Sequence, residues 1–287
     1  MKLHLLGYPL GHSVSPAMHT AALAEAGLND WSYAPQPVTA EGLEAAVEVL
    51  RQPGYAGANV TVPHKLAIMP LLDGVTPVAR AIGAVNTVVK QPDGSLLGHN
   101  TDAAGFLADL YALGVHISGR PVLVLGAGGS ARAVVAGCAS VSARIRLVAR
   151  RLEQAEALRA LAPVALYDWT PLGILQACDN AALVVNCTPV GMAPSPAASP
   201  WLAGTPFPPS AFVYDLVYNP PETQLTRDAQ TAGLRAATGL GMLVEQGALA
   251  FEQWTGRAAP RVTMRRAAEA ALAGFVAETA ATLERRP

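Results

Sequence analysis

Lysine is nearly absent from this 287-residue chain: of its 20 lysine and arginine side chains, only Lys2, Lys65 and Lys90 are lysines. Charge of either sign is scarce at 14%, and a formal net charge of −1 without a basic stripe argues against a nucleic-acid binder. Long apolar runs are missing as well. Hydrophobic residues make up 51%, but alanine supplies much of that, and no stretch approaches the roughly 20 apolar residues of a spanning helix. Met1 to Gly7 carries one positive side chain and too short an apolar segment for a signal peptide, so it reads as a first strand. Cys138, Cys178 and Cys187 are odd in number and lack metal-type spacing. They point to buried thiols, no metal site and a reducing, cytoplasmic compartment.

What is present is an alternation of strands and helices over a length sufficient for two domains. Leu3 to Gly7 is a strand, and Pro16 suits the first turn of a helix that Gly27 stops. Thr39 is placed to cap a helix with Leu43, Val47 and Leu50 on one face. Strands are expected at Ala58–Val62 and Val85–Val89, the second ended by the turn Pro92-Asp93-Gly94. After a helix from Ala103 to Leu113 comes the continuous apolar run Pro121 to Leu125, of buried-strand character. Strands follow at Ile145–Ala149, Leu183–Val185, Phe212–Leu216 and Arg235–Thr238. Ala193 to Pro209 reads as a surface loop, and two late helices occupy the region after Gly241 and about 259–285. The pattern is that of an α/β layer with a largely parallel sheet.

The chemistry starts from the lysine scarcity. Arginine cannot release a proton in a protein, whereas a partly desolvated lysine can. Lys65 closes the β-branched run Asn59-Val60-Thr61-Val62-Pro63-His64-Lys65, and Asp102 closes Gly98-His99-Asn100-Thr101-Asp102. A solvated surface lysine is the plainer reading of Lys65 alone; a carboxylate motif downstream makes an acid–base pair an equal competitor. Gly126-Ala127-Gly128-Gly129-Ser130-Ala131 then fits the dinucleotide fingerprint, with a buried strand before it and a helix after. At the end of the next strand, where NAD enzymes place an acid for the ribose hydroxyls, stand Ala149-Arg150-Arg151. Arg150 and Arg151 can bind a 2′-phosphate bidentately, which favours NADP(H) over NAD(H). The alternative is two solvated arginines at a helix start. Arg132 either adds charge there or is ordinary surface.

Taken together, these segments resemble shikimate dehydrogenase over almost the whole chain. The likeness runs through Gly7-Tyr8-Pro9, His12-Ser13-Val14-Ser15-Pro16, Asn59 to Lys65, and Ile82-Gly83-Ala84-Val85-Asn86-Thr87. It continues through Asn100-Thr101-Asp102, Gly126 to Gly129, Asn186 to Met192, Asp215-Leu216-Val217-Tyr218-Asn219-Pro220 and Gly239 to Ala248. The resemblance implies an oxidoreductase of aromatic amino-acid biosynthesis, using NADPH for the reversible reduction of 3-dehydroshikimate to shikimate. It implies Lys65 and Asp102 as the catalytic pair, with Ser13 and Ser15 on the substrate carboxylate and Tyr218 nearby. Thr61, Asn86, Asp102 and Gln246 would grip the ring hydroxyls, and Leu216 and Gly239 would lie near the nicotinamide. The implied fold is an α/β substrate domain, 1–101 plus 240–287, and a Rossmann-type NADP-binding domain with a parallel sheet, 102–239, the substrate lying in the cleft.

Two departures stand out. The family often has Asn-Arg-Thr where this chain has Ala149-Arg150-Arg151, and often asparagine where it has Thr20. Rival readings are a quinate/shikimate dehydrogenase using NAD(H) or NADP(H), and a non-catalytic nucleotide-binding relative. The expected partners are small molecules, with neither nucleic acid nor membrane, and a homodimer is an open possibility.

Overall fold

The computed structural model describes residues 1–11, 13–193 and 195–284, with side chains described through residue 276. His12 of the first loop and Arg285, the expected end of the last helix, lie outside the described residues. The chain divides into two compact units, one formed by Met1–Thr101 and the residues from Val244 onward, the other by Asp102–Leu243.

The first unit opens with β1 (Lys2–Gly7), α1 (Ser15–Glu25), β2 (Ser32–Pro37), α2 (Leu43–Arg51) and β3 (Tyr55–Val60). It continues with β4 (Gly74–Val75), α3 (Pro77–Ile82), β5 (Thr87–Lys90) and β6 (Leu96–His99). Its sheet runs β2-β1-β3-β5-β6-β4 and is mixed rather than largely parallel. β1 pairs parallel with β2 and β3, whereas β5 pairs antiparallel with both β3 and β6. β2 contains Pro35 and Pro37, which remove ladder donors; it stands at the sheet edge, where such losses are tolerated. Thr39 does not cap α2. The chain turns at Thr39–Gly42 first, Gly42 precedes the helix, and no side chain caps it. Lys90 instead serves the other end of α2, its Nζ donating to the Arg51 and Gln52 carbonyls at 2.7 and 2.8 Å. Leu43, Val47 and Leu50 of that helix pack on Leu6, Ala58, Val60 and Val88 of the sheet.

The second unit contains α4 (Asp102–Ala112), β7 (Pro121–Leu125), α5 (Gly129–Ser140), β8 (Arg144–Val148), α6 (Leu152–Glu156) and β9 (Val164–Tyr167). α7 (Pro171–Ala177), β10 (Leu183–Asn186), β11 (Phe212–Asp215), α8 (Gln224–Thr231) and β12 (Ala236–Thr238) complete it. α9 (Leu240–Thr255) begins in this unit and ends in the first, where α10 (Arg261–Glu284) packs on α1. The sheet order β12-β11-β10-β7-β8-β9, with every pairing parallel, is the doubly wound arrangement. Both faces are covered: Val122 and Val124 enter one apolar cluster, Leu123 and Leu125 the other. That is why β7 reads as an uninterrupted apolar run.

Two features of the first unit set its stability. Gly57 sits at a register shift between β1 and β3 with φ +152°. A Cβ there would lie 2.1 Å from the Val88 carbonyl oxygen and 2.8 Å from Trp254 Nε1, two atoms that are hydrogen-bonded to each other at 2.9 Å. Gly57→Ala is therefore expected to cost roughly 3 kcal/mol or more, read as a lowered urea midpoint; an unchanged midpoint would show that the strand yields without cost. His19, fully buried, stacks on Tyr33 at 4.4 Å, and neither ring nitrogen makes a hydrogen bond. Burial pushes its pKa down to about 3. The unfolded chain binds a proton near pH 6.5 and the native chain does not, so native stability falls as pH drops below 6.5. The loss from this group is about 2 kcal/mol at pH 5. Denaturant titrations at pH 7 and 5 should show that His19→Phe removes most of this slope; an equal slope in the variant would remove His19 as its source.

Candidate active site

The antiparallel placement of β5 decides which polar residues meet in the first unit. Because β5 runs against β3 and β6, its start lies beside the ends of both: Asn59 faces Thr87, and Thr87 faces His99. Asn86 thus joins the segments that carry Thr61 and Thr101. The Val60 amide donates to the Asn86 carbonyl at 2.8 Å, and the Val85 amide donates to the Lys65 carbonyl at 2.8 Å. Asn86 is buried and fully engaged. Its Oδ1 accepts from the Thr101 amide at 2.8 Å and from Thr87 Oγ1 at 3.0 Å. Its Nδ2 donates to Thr101 Oγ1 at 2.8 Å and to Gln246 Oε1 at 3.2 Å. Gln246, although on the buried stripe of α9, is therefore a polar partner rather than packing. Asn86 and Gln246, 160 residues apart, are brought into direct contact.

Thr61 is half-buried and lies against the end of β1, where Gly7 makes room for it: a Cβ on Gly7 would stand 2.3 Å from the Thr61 methyl. The turn that leads on to Lys65 is held by His64, buried, whose Nε2 bonds the Val38 carbonyl at 2.7 Å. Lys65 itself is half-buried. Ser13 and Ser15 lie together at the start of α1, the Ser15 amide donating to Ser13 Oγ at 3.3 Å. That bond occupies a lone pair of Ser13 and leaves its proton to donate elsewhere.

In the second unit, Asp102 is buried and opens α4. The glycine-rich turn follows β7. Gly126 has φ +98°, and a Cβ on it would meet the Thr188 methyl at 2.6 Å, so only glycine fits. Gly128 and Gly129 have open space where a Cβ would project, and α5 starts at Gly129. Ala127 and Ser130 are half-buried beside them, and fully buried Ala131 seats the helix on the sheet. An open cradle of backbone N–H groups at a helix start suits a pyrophosphate. Arg150 and Arg151 are exposed just past β8, free of the sheet and able to reach a phosphate. Arg132 is half-buried in the first turn of α5, where burial lowers its pKa. No carboxylate occupies 149–151. The residues fit a 2′-phosphorylated dinucleotide.

Leu216 and Gly239 are brought together: a Cβ on Gly239 would lie 2.3 Å from the Leu216 carbonyl oxygen. Asn186 and Asp215, at the ends of β10 and β11, build the loop that carries Leu216 and Tyr218. Asn186 Nδ2 donates to Asp215 Oδ1 at 2.8 Å, while Asp215 accepts from the Val217 amide at 3.0 Å and from Thr223 Oγ1 at 2.7 Å. Burial pushes the Asp215 carboxyl up, opposed by these donors, and likewise raises the half-buried Tyr218 phenol. The roles of Asn59, His64 and Thr101 were missed from sequence, although all three lie inside the motifs already singled out. Among the described residues, no group of three or more His, Cys, Asp or Glu side chains could hold a metal ion, and no helix is long and apolar enough to cross a membrane.

Comparison with known proteins gives the family. Residues 5–88 match the shikimate dehydrogenase substrate binding domain, and 239–269 match the shikimate 5′-dehydrogenase C-terminal domain. A shikimate dehydrogenase (NADP(+)) of Symbiobacterium thermophilum is 46% identical over 95% of this chain and 95% of its own. Shikimate 5-dehydrogenase of Thermus thermophilus, solved with NADP(H) and shikimate, is 40% identical with a TM-score of 0.86, covering 94% of this chain and 99% of that one. A ligand-free 5-ketofructose reductase of a Gluconobacter strain shares the fold at 33% identity, TM-score 0.83, with 94% and 98% coverage. The chain belongs to the shikimate dehydrogenase family.

Proposed function

We propose that this oxidoreductase carries out the NADP-dependent, reversible reduction of 3-dehydroshikimate to shikimate, the step of aromatic amino-acid biosynthesis, with Lys65 and Asp102 as its acid–base pair. The observation that carries the reaction is the near-full-length identity to relatives named for it. The residue chemistry agrees. A hydroxylated ring needs neutral donors and acceptors in fixed directions, which Thr61, Asn86 and Gln246 would supply, Asn86 by exchanging one of its present partners for a ring oxygen. The Ser13 and Ser15 hydroxyls would donate to the ring carboxylate, with Tyr218 beside them. The three free cysteines fit a reducing, cytoplasmic setting.

The dinucleotide would rest its pyrophosphate on residues 126–131 and its 2′-phosphate on Arg150 and Arg151, with Leu216 and Gly239 near its nicotinamide. When bound, it supplies or accepts the hydride. The proton on the reacting oxygen falls to Lys65 and Asp102. In reduction the pair gives a proton to the carbonyl oxygen, and in oxidation it takes the alcohol proton away. The substrate domain of this reading is the unit of residues 1–101 with the late helices, and the cofactor domain is the rest.

Initial rates with shikimate or quinate, each with NADP or NAD, test the reaction. Strong activity confined to shikimate and NADP is expected; equal rates with quinate or NAD would move the chain to a broader-specificity enzyme. Lys65→Met is expected to lower kcat by 100-fold or more, the scale of a lost general acid–base group, while raising the shikimate KM only about twofold. A KM increase as large as the kcat loss would make Lys65 a binding group instead.

A further inference from the structure

The start of α9 cannot cap itself. Gly239 stands just before the helix, and its carbonyl accepts from the Leu243 amide at 2.9 Å. A residue in that place ordinarily offers a Ser, Asp or Asn side chain to an amide two or three positions on. Gly239 has no side chain to offer, and the Leu216 carbonyl oxygen, 2.3 Å from where a Cβ would stand, leaves no room for one. The first-turn amides of α9 therefore need acceptors from elsewhere in the second unit.

Tyr214 of β11 supplies one. The amide of Met242, the third residue of α9, donates to the Tyr214 hydroxyl oxygen at 3.2 Å. An amide can only donate, so the hydroxyl accepts there and sends its own proton to Asp109 Oδ2, 2.6 Å away. Complete burial and an edge contact with Phe106, 5.7 Å between centroids, fix the tyrosine ring. Asp109, 3% exposed, lies against the helix start itself: a Cβ on Gly241 would stand 1.9 Å from its Oδ1 and 2.3 Å from its Oδ2. The helix dipole favours a carboxylate at that end. Asp109 also follows Asp102 by seven residues on α4, about two helical turns, and both lie on its buried face.

We propose that Asp109 and Tyr214 are positioning residues for hydride transfer: together they cap the first turn of α9 in place of Gly239, and so hold Gly239 against Leu216 at a fixed place relative to Asp102 at the head of α4. The proposal rests on the reading of Leu216 and Gly239 as neighbours of the nicotinamide and of Asp102 as half of the acid–base pair. Gly241 is a glycine on this account because the carboxylate fills the space of its side chain. Without the tyrosine hydroxyl the Met242 amide loses this acceptor, and the turn that carries Gly239 is no longer tied to β11 and α4.

Tyr214→Phe, Asp109→Asn and the double variant test it, first without cofactor and then in turnover. In the cofactor-free protein, hydrogen exchange of the Met242 amide, followed by NMR, is expected to speed up about tenfold or more in Tyr214→Phe. Unchanged exchange would overturn the cap. In shikimate oxidation each single change is expected to lower kcat about tenfold, the scale of a small misplacement of reacting groups. The shikimate and NADP KM values should both stay within about threefold. Deuterium at the reacting carbon of shikimate should slow the variants, which marks hydride transfer as the step that suffers. The double variant should lie within about twofold of the slower single, because the two side chains act as one unit. Native kcat in either single variant, no slowing by deuterium, or multiplied losses in the double variant would overturn the positioning role. A lowered urea midpoint with native kcat in the folded protein would reduce the pair to a structural one. If Tyr214→Phe fails to fold, Asp109→Asn, which keeps an acceptor oxygen for the tyrosine, decides alone. A native protein that does not reduce NADP with shikimate would instead remove the reading of the site, and the proposal with it.

Discussion

Parallel strand pairing is the constraint on which the rest depends. When strands run the same way, the loops that leave them emerge from one edge of the sheet, and side chains distant in sequence become neighbours there. In the second unit all five pairings are parallel. The glycine turn after β7, the arginines after β8, Asn186 at the end of β10 and the loop after β11 therefore share one edge. The first unit reaches the same end by a different route. Gly7 at the end of β1 and Thr61 after β3 lie together because those strands are parallel. The antiparallel β5 then brings Asn86, the residue before its start, to that same edge, and β6 presents its end.

Such an edge must be furnished without unpaired buried groups, and this chain does so with neutral amides and hydroxyls rather than ion pairs. Burying a charge costs several kcal/mol unless it is paired, whereas an amide with both ends bonded costs little and keeps its direction. Asn86 has its oxygen and nitrogen each bonded twice, and Asn59 has both ends bonded. The scarcity of lysine belongs to the same economy. Lys90 closes the C-terminus of α2 with two carbonyl bonds, and Lys2 lies 5.5 Å over the Tyr55 ring. Each of those lysines has a structural task far from the motif that carries Lys65.

Most of the second unit was legible in the sequence because its grammar is local; the exception among its strands is β9, four residues at the sheet edge. A strand buried on both faces must be apolar throughout, and a phosphate turn needs glycine at fixed spacing, so β7 and Gly126 to Ala131 announce themselves. The first unit was less so. β2 carries Pro35 and Pro37, which argue against a central strand, and only its place at the edge, which no local pattern reveals, makes them tolerable. β6 is four residues long, too short for a clear alternation, and its omission hid the mixed pairing. The Thr39 cap failed because the chain turned before the helix began.

For the site, the motifs located Asn86 and Gln246 but not the fact that they touch, since 160 residues separate them and nothing in either neighbourhood encodes the other. Tyr33 was less visible still. Its hydroxyl donates to Asn59, whose amide nitrogen meets a carbonyl 53 positions beyond Tyr33, so the contact exists only in the folded network. Motif reading finds residues defined by what they offer to a ligand. A residue that meets only other side chains inside a buried network leaves no spacing to read, and hydrogen-bond direction, traced outward from backbone groups that cannot reverse, is the means of finding it.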